Sequence, residues 1–145
     1  MTPSQPKPEL TSAQLAILQS RATMAAENSY SPYSHFRVGA AILLEGPEDI
    51  IVTGCNVENA SYRLTTCAEQ TAIASAVATH GPHVRIRAVA VANLNGEASQ
   101  PCGACRQTIA EFANPDTPIY FPAADGSITE LTIAELLPAS FSLKQ

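Results

Sequence analysis

Two short segments of the sequence carry residue types that could bind a metal ion and move a proton. Cys67 and Glu69 lie two positions apart in the first segment, and Cys102 and Cys105 lie three positions apart in the second. The helical pattern places the three thiols at the amino ends of two predicted helices, where the helix dipole favours thiolates. Thiolates bind zinc, and Cys102 and Cys105 have the spacing of a two-ligand zinc knuckle.

The predicted metal site has an open position. Three protein ligands leave the fourth tetrahedral position of zinc for water, which is typical of a catalytic zinc rather than a structural one. Glu69 follows the ligand Cys67 by two residues, so its carboxylate could take a proton from that water and deliver it to a substrate. Cys55 follows a glycine at a strand end, and we interpret it as a small buried hydrophobic residue rather than a fourth ligand.

Simpler interpretations of the same residues remain open. A Cys-x-x-Cys pair alone could be a redox pair or a chance occurrence. Glu69 would also complete a capping box with Thr66, which is a structural role. His35, His80 and His83 have no metal-like spacing from a cysteine, and we interpret them as non-catalytic.

Composition and charge restrict the class of protein. The 145 residues are 46% hydrophobic and 14% charged, which fits one domain without a disulfide framework. The apolar runs are too short to span a membrane. A net charge of −5 with only eight Lys and Arg disfavours a polynucleotide or an anionic membrane as partner.

Residues 1–10 hold three prolines and no apolar signal segment. We therefore expect a disordered tail there, one domain over 11–145 and a cytoplasmic protein.

Hydrophobic periodicity and turn signals predict the elements that position these residues. Thr11 and Gln14 form a capping-box pattern at the start of the first helix. Helices are predicted over 12–28, 66–80 and 103–113, with a final helical turn over 134–137. Strands are predicted over 36–44, 50–55, 86–92, 118–121 and 127–133, the first two as a hairpin. Strand–helix–strand units imply parallel neighbours, so the pattern predicts an α/β protein with a mixed sheet and helices on both faces.

Longer segments resemble a known family. The Cys-Ala-Glu segment at 67–69 and the Pro-Cys-Gly-Ala-Cys-Arg-Gln segment at 101–107 resemble the zinc-dependent nucleoside deaminases. Segments 33–41, 54–62 and 135–141 look like the small homotetrameric cytidine deaminases, so the resemblance covers nearly the whole chain. It implies a three-layer α/β/α sandwich around a five-stranded mixed sheet, which agrees with the predicted order of elements.

The resemblance also implies a reaction. One zinc ion per chain would be bound by Cys67, Cys102 and Cys105. Glu69 would move a proton from the zinc-bound water to N3 of the cytosine ring, and then a proton to the departing amino group. Cytidine and 2′-deoxycytidine would be converted into uridine and 2′-deoxyuridine with release of ammonia.

Further residues are implied to bind the nucleoside. They are Phe36, Asn56, Glu58, Tyr62, Ala68 and Phe141. Asn56 and Glu58 would bind the ribose 3′-hydroxyl, since an amide and a carboxylate together satisfy a group that both donates and accepts. Without the zinc motifs, the segment 56–59 would be interpreted as an ordinary polar loop. Phe36 would pack against the base, and Phe141 would reach the site of a neighbouring subunit, so that a homotetramer would share its active sites.

One position departs from the family pattern. An arginine usually follows the catalytic glutamate, whereas this chain has Gln70. Three thiolates on a divalent cation leave a formal charge of about −1, which an uncharged amide cannot offset. Gln70 could still donate an N–H to a cysteine sulfur. Arg106 could offset the thiolate charge or could brace loops.

Two other functions remain open at this point. The same zinc chemistry could deaminate a cytosine-bearing analogue such as blasticidin S, although Asn56 and Glu58 favour an unmodified ribose. The chain could also be a zinc-bearing scaffold that has lost catalysis. Glu69 argues against this second alternative, because a structural zinc site has no use for a free acid beside an open position.

Overall fold

The computed structural model describes residues 9–143, which form a mixed sheet between two layers of helices. The strands are β1 (Val38–Leu44), β2 (Ile51–Cys55), β3 (Ile86–Asn93), β4 (Pro118–Pro122) and β5 (Ile128–Thr132). The helices are α1 (Ser12–Ala26), α2 (Ala68–His80), α3 (Gly103–Phe112) and α4 (Ile133–Leu136), with a short 3-10 turn at Tyr62–Leu64. The five strands lie in the order β2-β1-β3-β4-β5. Only β3 and β4 pair in parallel, so the predicted α/β mixed sheet is confirmed.

The two faces of the sheet form separate cores. Alternate side chains of a strand point to opposite faces. Ala40 and Ile42 of β1 pack with α2 and α3, whereas Ala41 and Leu43 pack with α1. Both sets are buried, so β1 lies inside the molecule with one helical layer on each side.

Two glycines allow the helices to lie directly on the sheet. A Cβ atom built on Gly39 would lie 2.0 Å from the carbonyl oxygen of Ala22 in α1. A Cβ atom on Gly54 would lie 2.4 Å from the backbone nitrogen of Ala72 in α2. No larger residue fits at either position without moving a helix, because the atoms that it would meet include helix backbone atoms at less than 3.0 Å. The alanine-rich sequence of α2 predicts this close packing.

Strand direction brings the chemistry-bearing segments together at one end of the sheet. β2 and β3 are both antiparallel to β1, so their carboxyl ends lie at the same end as the amino end of β1. The chain leaves β2 toward α2 and leaves β3 toward α3. The amino ends of α2 and α3 therefore meet beyond these strands, which is where ligands bind in many α/β proteins.

The structure shifts several predicted boundaries. α1 ends at Ala26 rather than at residue 28, and α2 begins at Ala68 rather than at residue 66. The Thr11–Gln14 capping box is confirmed, with both of its reciprocal hydrogen bonds present. Residues 56–65, predicted as a loop, contain the 3-10 turn.

Phe36 and Arg37, predicted as strand, precede β1. At this point a side chain takes part in holding the backbone. The N–H of Arg37 donates to Asn95 Oδ1 at 2.9 Å, and the Arg37 carbonyl accepts from the backbone N–H of Leu94, directly after β3, at 3.0 Å.

The tail predicted over residues 1–10 lies almost entirely outside the described residues. Leu10 packs against the core beneath α1, so the packed chain begins before the predicted boundary at residue 11. Between residues 9 and 143, no helix is both long and apolar enough to cross a membrane.

Candidate active site

Three cysteine sulfurs form a cluster at the end of the sheet where α2 and α3 begin. The sulfurs of Cys67, Cys102 and Cys105 lie within 4.8 Å of one another. The Cys67–Cys102 distance is 3.9 Å and the Cys102–Cys105 distance is 3.2 Å. Tetrahedral zinc with bonds of about 2.3 Å places its sulfur ligands about 3.8 Å apart. The Cys67–Cys102 distance already fits this value, and the Cys102–Cys105 pair would have to widen by about 0.6 Å. Within residues 9–143 no other set of three or more potential ligands has this geometry, and Cys55 is not in it.

The helix starts explain why these thiols converge. Cys67 is the N-cap residue of α2 and Cys102 is the N-cap residue of α3, with Cys105 in the first turn that follows. The Cys102 sulfur accepts a hydrogen bond from the Cys105 backbone N–H at 3.4 Å. A hydrogen bond from the Cys105 thiol lowers the pKa of Cys67 to about 7, which favours the thiolate that zinc requires.

Glu69 is the second residue of α2 and is buried, with 4% of its surface exposed. The alternative interpretation of Glu69, a capping box with Thr66, is wrong, because Cys67 rather than Thr66 occupies the N-cap position of α2 and makes no side-chain cap bond. Burial raises the pKa of the Glu69 carboxyl, while hydrogen bonds from its own backbone N–H and from the Cys105 thiol act in the opposite direction. The carboxylate is therefore held beside the thiol cluster and away from bulk water.

Gln70 and Arg106 contact different parts of the site. The Gln70 side-chain amide donates to the Cys105 sulfur at 3.7 Å. Arg106 donates from Nε to the carbonyl of Pro101 and from Nη1 to the carbonyl of Leu136, each at 2.8 Å. Gln70 thus occupies the position from which an N–H can relieve negative charge on sulfur, and Arg106 braces the loop that carries Cys102.

Asn56 is buried just beyond the end of β2, and most of its hydrogen-bonding capacity is used within the chain. Its Oδ1 accepts from the Val38 N–H at 3.0 Å and from the hydroxyl of Ser29, and its Nδ2 donates to the carbonyl of Phe36 at 2.8 Å. An amide side chain offers two acceptor sites and two hydrogens. Asn56 therefore has one N–H left for a ligand.

Glu58 is held by the turn that precedes Phe36. Its Oε1 accepts from the backbone N–H groups of Tyr33 and Ser34 at 3.0 and 3.2 Å, and its Oε2 accepts from the Ser34 hydroxyl. The Ser34 hydroxyl is the main cause that lowers the pKa of Glu58. The sequence assigned no role to Ser34, although it lies within the family-like segment 33–41.

The aromatic residues predicted to bind substrate differ in exposure. Phe36 is half-buried, whereas Tyr62 is 78% exposed and meets Tyr33 edge to face, with ring centroids 6.3 Å apart. The Phe141 side chain is 70% exposed. Its backbone carbonyl accepts from the Gln107 side chain at 3.1 Å, so the motif after Cys105 fixes the carboxy-terminal segment beside α3.

A comparison with protein families identifies the class. A family model described as the cytidine and deoxycytidylate deaminase zinc-binding region matches residues 13–121. Zinc is bound by the cluster of Cys67, Cys102 and Cys105 within this region. The fold and the site therefore define a zinc-dependent deaminase.

Individual relatives narrow the class further. The cytidine deaminase of Sporosarcina psychrophila is 49% identical over 118 residues, covering 81% of this chain and 84% of the relative. The cytidine deaminase of Halalkalibacterium halodurans is 43% identical over 126 residues, covering 87% of this chain and 92% of the relative. The crystal structure of cytidine deaminase from Mycobacterium tuberculosis superposes with a TM-score of 0.76 at 39% identity, covering 89% of this chain and 98% of that one. This chain belongs to the cytidine deaminase family.

Loss of one zinc ligand is expected to release the metal, whereas loss of the fourth cysteine is not. Cys102→Ser should bind zinc at least about tenfold more weakly, because one of the three thiolates is removed. Cys55→Ala should keep about one zinc per chain, as in the unaltered protein. Metal analysis after dialysis against a chelator tests both variants. Equal zinc loss from the two variants would contradict the three-sulfur site.

Gln70 is expected to help retain zinc through its contact with Cys105. Gln70→Leu keeps the approximate size of the side chain but removes the N–H donor, so zinc affinity should fall about 10-fold or more. Gln70→Arg restores a donor and adds positive charge, and should hold zinc at least as tightly as the unaltered protein. Competition with a zinc-chelating dye measures these affinities, with Gln19→Leu on α1 as the control. Unchanged zinc affinity in Gln70→Leu would show that the hydrogen bond from Gln70 to Cys105 does not help to retain zinc.

Proposed function

We propose that this cytidine deaminase acts on free cytidine and 2′-deoxycytidine, releasing ammonia to form uridine and 2′-deoxyuridine. The observation that carries the proposal is the buried Glu69 carboxylate beside a cluster of three thiols at two helix amino ends. The net charge of −5 favours a free nucleoside over a polynucleotide.

Glu69 is the residue that moves protons in this proposal. Zinc, when bound, supplies Lewis acidity and lowers the pKa of a water at its open ligand position. The Glu69 carboxylate would take one proton from the attacking water and pass it to ring atom N3, while the water oxygen bonds to C4 of the cytosine ring. Glu69 would then take the remaining proton of the added hydroxyl and deliver it to the amino group, so that the C4–N bond breaks, ammonia leaves and the C4 carbonyl of uridine forms. A single buried acid can perform these transfers because it lies next to Cys67 in the first turn of α2.

Asn56 and Glu58 recognise the ribose 3′-hydroxyl. Asn56 has one N–H available, so it donates to the hydroxyl oxygen. Glu58 is an acceptor, so it takes the hydroxyl proton. The two residues together bind both the proton and the oxygen of the hydroxyl. A nucleoside without the 3′-hydroxyl would leave one N–H of Asn56 and one acceptor site of Glu58 without a partner.

The cytosine ring binds between Phe36 and the amino end of α2. Phe36 follows the turn that holds Glu58, and its ring packs against the base. Ala68 is the first residue of α2, and the backbone N–H groups of a helix's first turn have no partner within the helix. The Ala68 N–H is thus suited to donate to the carbonyl oxygen of the base. Tyr62 lies near this pocket, in contact with Tyr33.

The protein assembles as a homotetramer in which Phe141 enters the site of a neighbouring subunit. Several large apolar side chains are exposed around the carboxy-terminal segment and the 3-10 turn; they are Tyr62, Leu64, Phe141 and Leu143. Exposed apolar groups of this size are typical of an interface. The number of subunits rests on the resemblance to the homotetrameric cytidine deaminases, and light scattering should give about four chains per particle.

The substrates can be tested directly with purified, zinc-loaded protein. Loss of the cytosine absorbance should be observed with cytidine and with 2′-deoxycytidine, and ammonia should appear in equal amount. Blasticidin S, offered at the same concentration, should react far more slowly because it does not carry an unmodified ribose. Turnover of blasticidin S alone would overturn the substrate assignment. A zinc-loaded protein without activity on all three compounds would instead support the scaffold alternative.

A further inference from the structure

The Glu58 carboxylate is held by donors from one short segment. Oε1 accepts from the N–H groups of Tyr33 and Ser34, and Oε2 accepts from the Ser34 hydroxyl. Each carboxylate oxygen has two acceptor sites. Oε1 is therefore saturated, and Oε2 keeps one acceptor site open.

The Ser34 hydroxyl donates to Glu58. It accepts a hydrogen bond from the backbone N–H of Phe36 at 3.0 Å, so its single proton is free to be given to the carboxylate. The result is a directed chain from the Phe36 N–H through the Ser34 hydroxyl to Glu58 Oε2. Such chains polarise each bond along them, and this one also fixes the orientation of the carboxylate.

The segment that carries Ser34 is itself fixed. His35 has a φ of 58°, a left-handed conformation that persists only when neighbouring contacts hold it. Asn95 supplies those contacts, since its side chain donates to the His35 carbonyl at 2.9 Å and accepts from the Arg37 N–H at 2.9 Å. Ser34 thus presents its hydroxyl from a rigid turn rather than from a loose loop.

We propose that Ser34 is a positioning residue for ribose recognition, which aims the one open acceptor site of Glu58 at the 3′-hydroxyl of the nucleoside. This inference rests on the proposed function, in which Glu58 accepts that hydroxyl. Without the Ser34 hydroxyl the carboxylate keeps its charge but gains rotational freedom, and ordering it costs binding energy. Water can replace the hydroxyl as acceptor for the exposed Phe36 N–H, so the base-binding side of the site is unaffected.

The test compares two nucleosides that differ only in the group that Glu58 would contact. For Ser34→Ala, KM for cytidine should rise about tenfold while kcat changes less than about twofold. For 3′-deoxycytidine, which lacks the hydroxyl, kcat/KM should be the same in Ser34→Ala and the unaltered protein. Ser34→Thr keeps a hydroxyl and should restore the low KM for cytidine.

Two controls separate positioning from general damage to the fold. Ser127→Ala removes a similar hydroxyl–carboxylate bond, to Asp125 in the turn between β4 and β5, and should leave both nucleosides unaffected. In a Glu58→Ala background, Ser34→Ala should add no further loss on cytidine, because the two residues act as one unit.

Several outcomes would overturn the role of Ser34. They are an equal loss on both nucleosides, an unchanged KM for cytidine, and full additivity with Glu58→Ala. If the unaltered protein had the same kcat/KM for 3′-deoxycytidine as for cytidine, the proposed recognition of the ribose by Asn56 and Glu58 would be wrong too. This measurement therefore separates failure of the proposed ribose recognition from failure of the role of Ser34 alone.

Discussion

Glu69→Gln is expected to lower kcat for cytidine by about 10²–10⁴-fold, the range typical of general acid–base catalysis, while zinc stays bound. The amide matches the carboxylate in size but cannot accept a proton and return it. Because Glu69 is only 4% exposed, water cannot readily take over the transfer. The three thiols are untouched, so metal analysis should still give about one zinc per chain.

Loss of a helix cap cannot explain a fall in kcat in Glu69→Gln. Complete capping boxes begin α1 and α4; in α4 the Thr132 hydroxyl accepts from the Glu135 N–H, and the Glu135 carboxylate accepts from the Thr132 N–H. Thr66 and Glu69 do not form that pair, since Cys67 lies at the N-cap position of α2. Replacing Glu69 therefore does not disrupt a capping box.

Stability provides a second readout on the same variant. Burial raises the pKa of Glu69, so the charged carboxylate is less favourable in the folded protein than in the unfolded chain. Glutamine carries no charge to desolvate, so with zinc removed from both proteins Glu69→Gln should melt at the same temperature as the unaltered protein or higher. Glu48→Gln, in the exposed turn between β1 and β2, is the control and should change neither property. Activity above about a tenth of the unaltered level would contradict the proton-transfer role.

The sequence predicted the elements well wherever the chain itself signals a boundary. Gly81 and Pro82 end the alanine-rich helix, and α2 stops at His80 with Gly81 at the C-cap in a left-handed conformation. Alternate residues of a strand share a face, and the structure buries Ala40 and Ile42 of β1 together. These features are local, so residue spacing and turn chemistry are sufficient to find them.

Contacts between distant segments could not be predicted in the same way. Arg37 was predicted to continue the strand, but its N–H pairs with the side chain of Asn95, 58 residues away. The Gln107 amide reaches the carbonyl of Phe141 across 34 residues. Side chains that satisfy backbone groups leave no period in the sequence, because any small polar residue on a loop could serve. For the same reason, the sequence did not predict the hydrogen bond from the Ser34 hydroxyl to Glu58.

The zinc cluster was predictable for a physical reason that applies to few sites. Its ligands are a rare residue type in a fixed spacing, and two helix starts place them. For Asn56 and Glu58 the sequence indicated ribose binding only through the family resemblance. The structure adds which atoms remain available, namely one N–H on Asn56 and one acceptor site on Glu58.

Phe141→Ala is expected to raise KM for cytidine about 5- to 150-fold, since stacking of a base on an aromatic ring contributes about 1–3 kcal/mol. The ring is 70% exposed in the single chain, and Gln107 anchors only its backbone. An aromatic side chain presented in this way is available to a neighbouring subunit. The fold of the single chain should therefore survive its loss, which circular dichroism and zinc content can verify.

Mixed oligomers test whether that neighbour's site is the one that Phe141 completes. Chains carrying Phe141→Ala and chains carrying Glu69→Gln, each with its own affinity tag, are combined and the doubly tagged particles are isolated. If sites are shared, some sites in these particles receive an intact Glu69 from one chain and an intact Phe141 from another, and activity at low cytidine rises above that of either parent. A mixture of Glu69→Gln with Glu69→Ala should show no rise, because every site lacks the same residue. Doubly tagged particles of the first mixture that are no more active than their parents would place Phe141 in the site of its own chain or outside any site, since subunit exchange has then occurred without restoring a complete site.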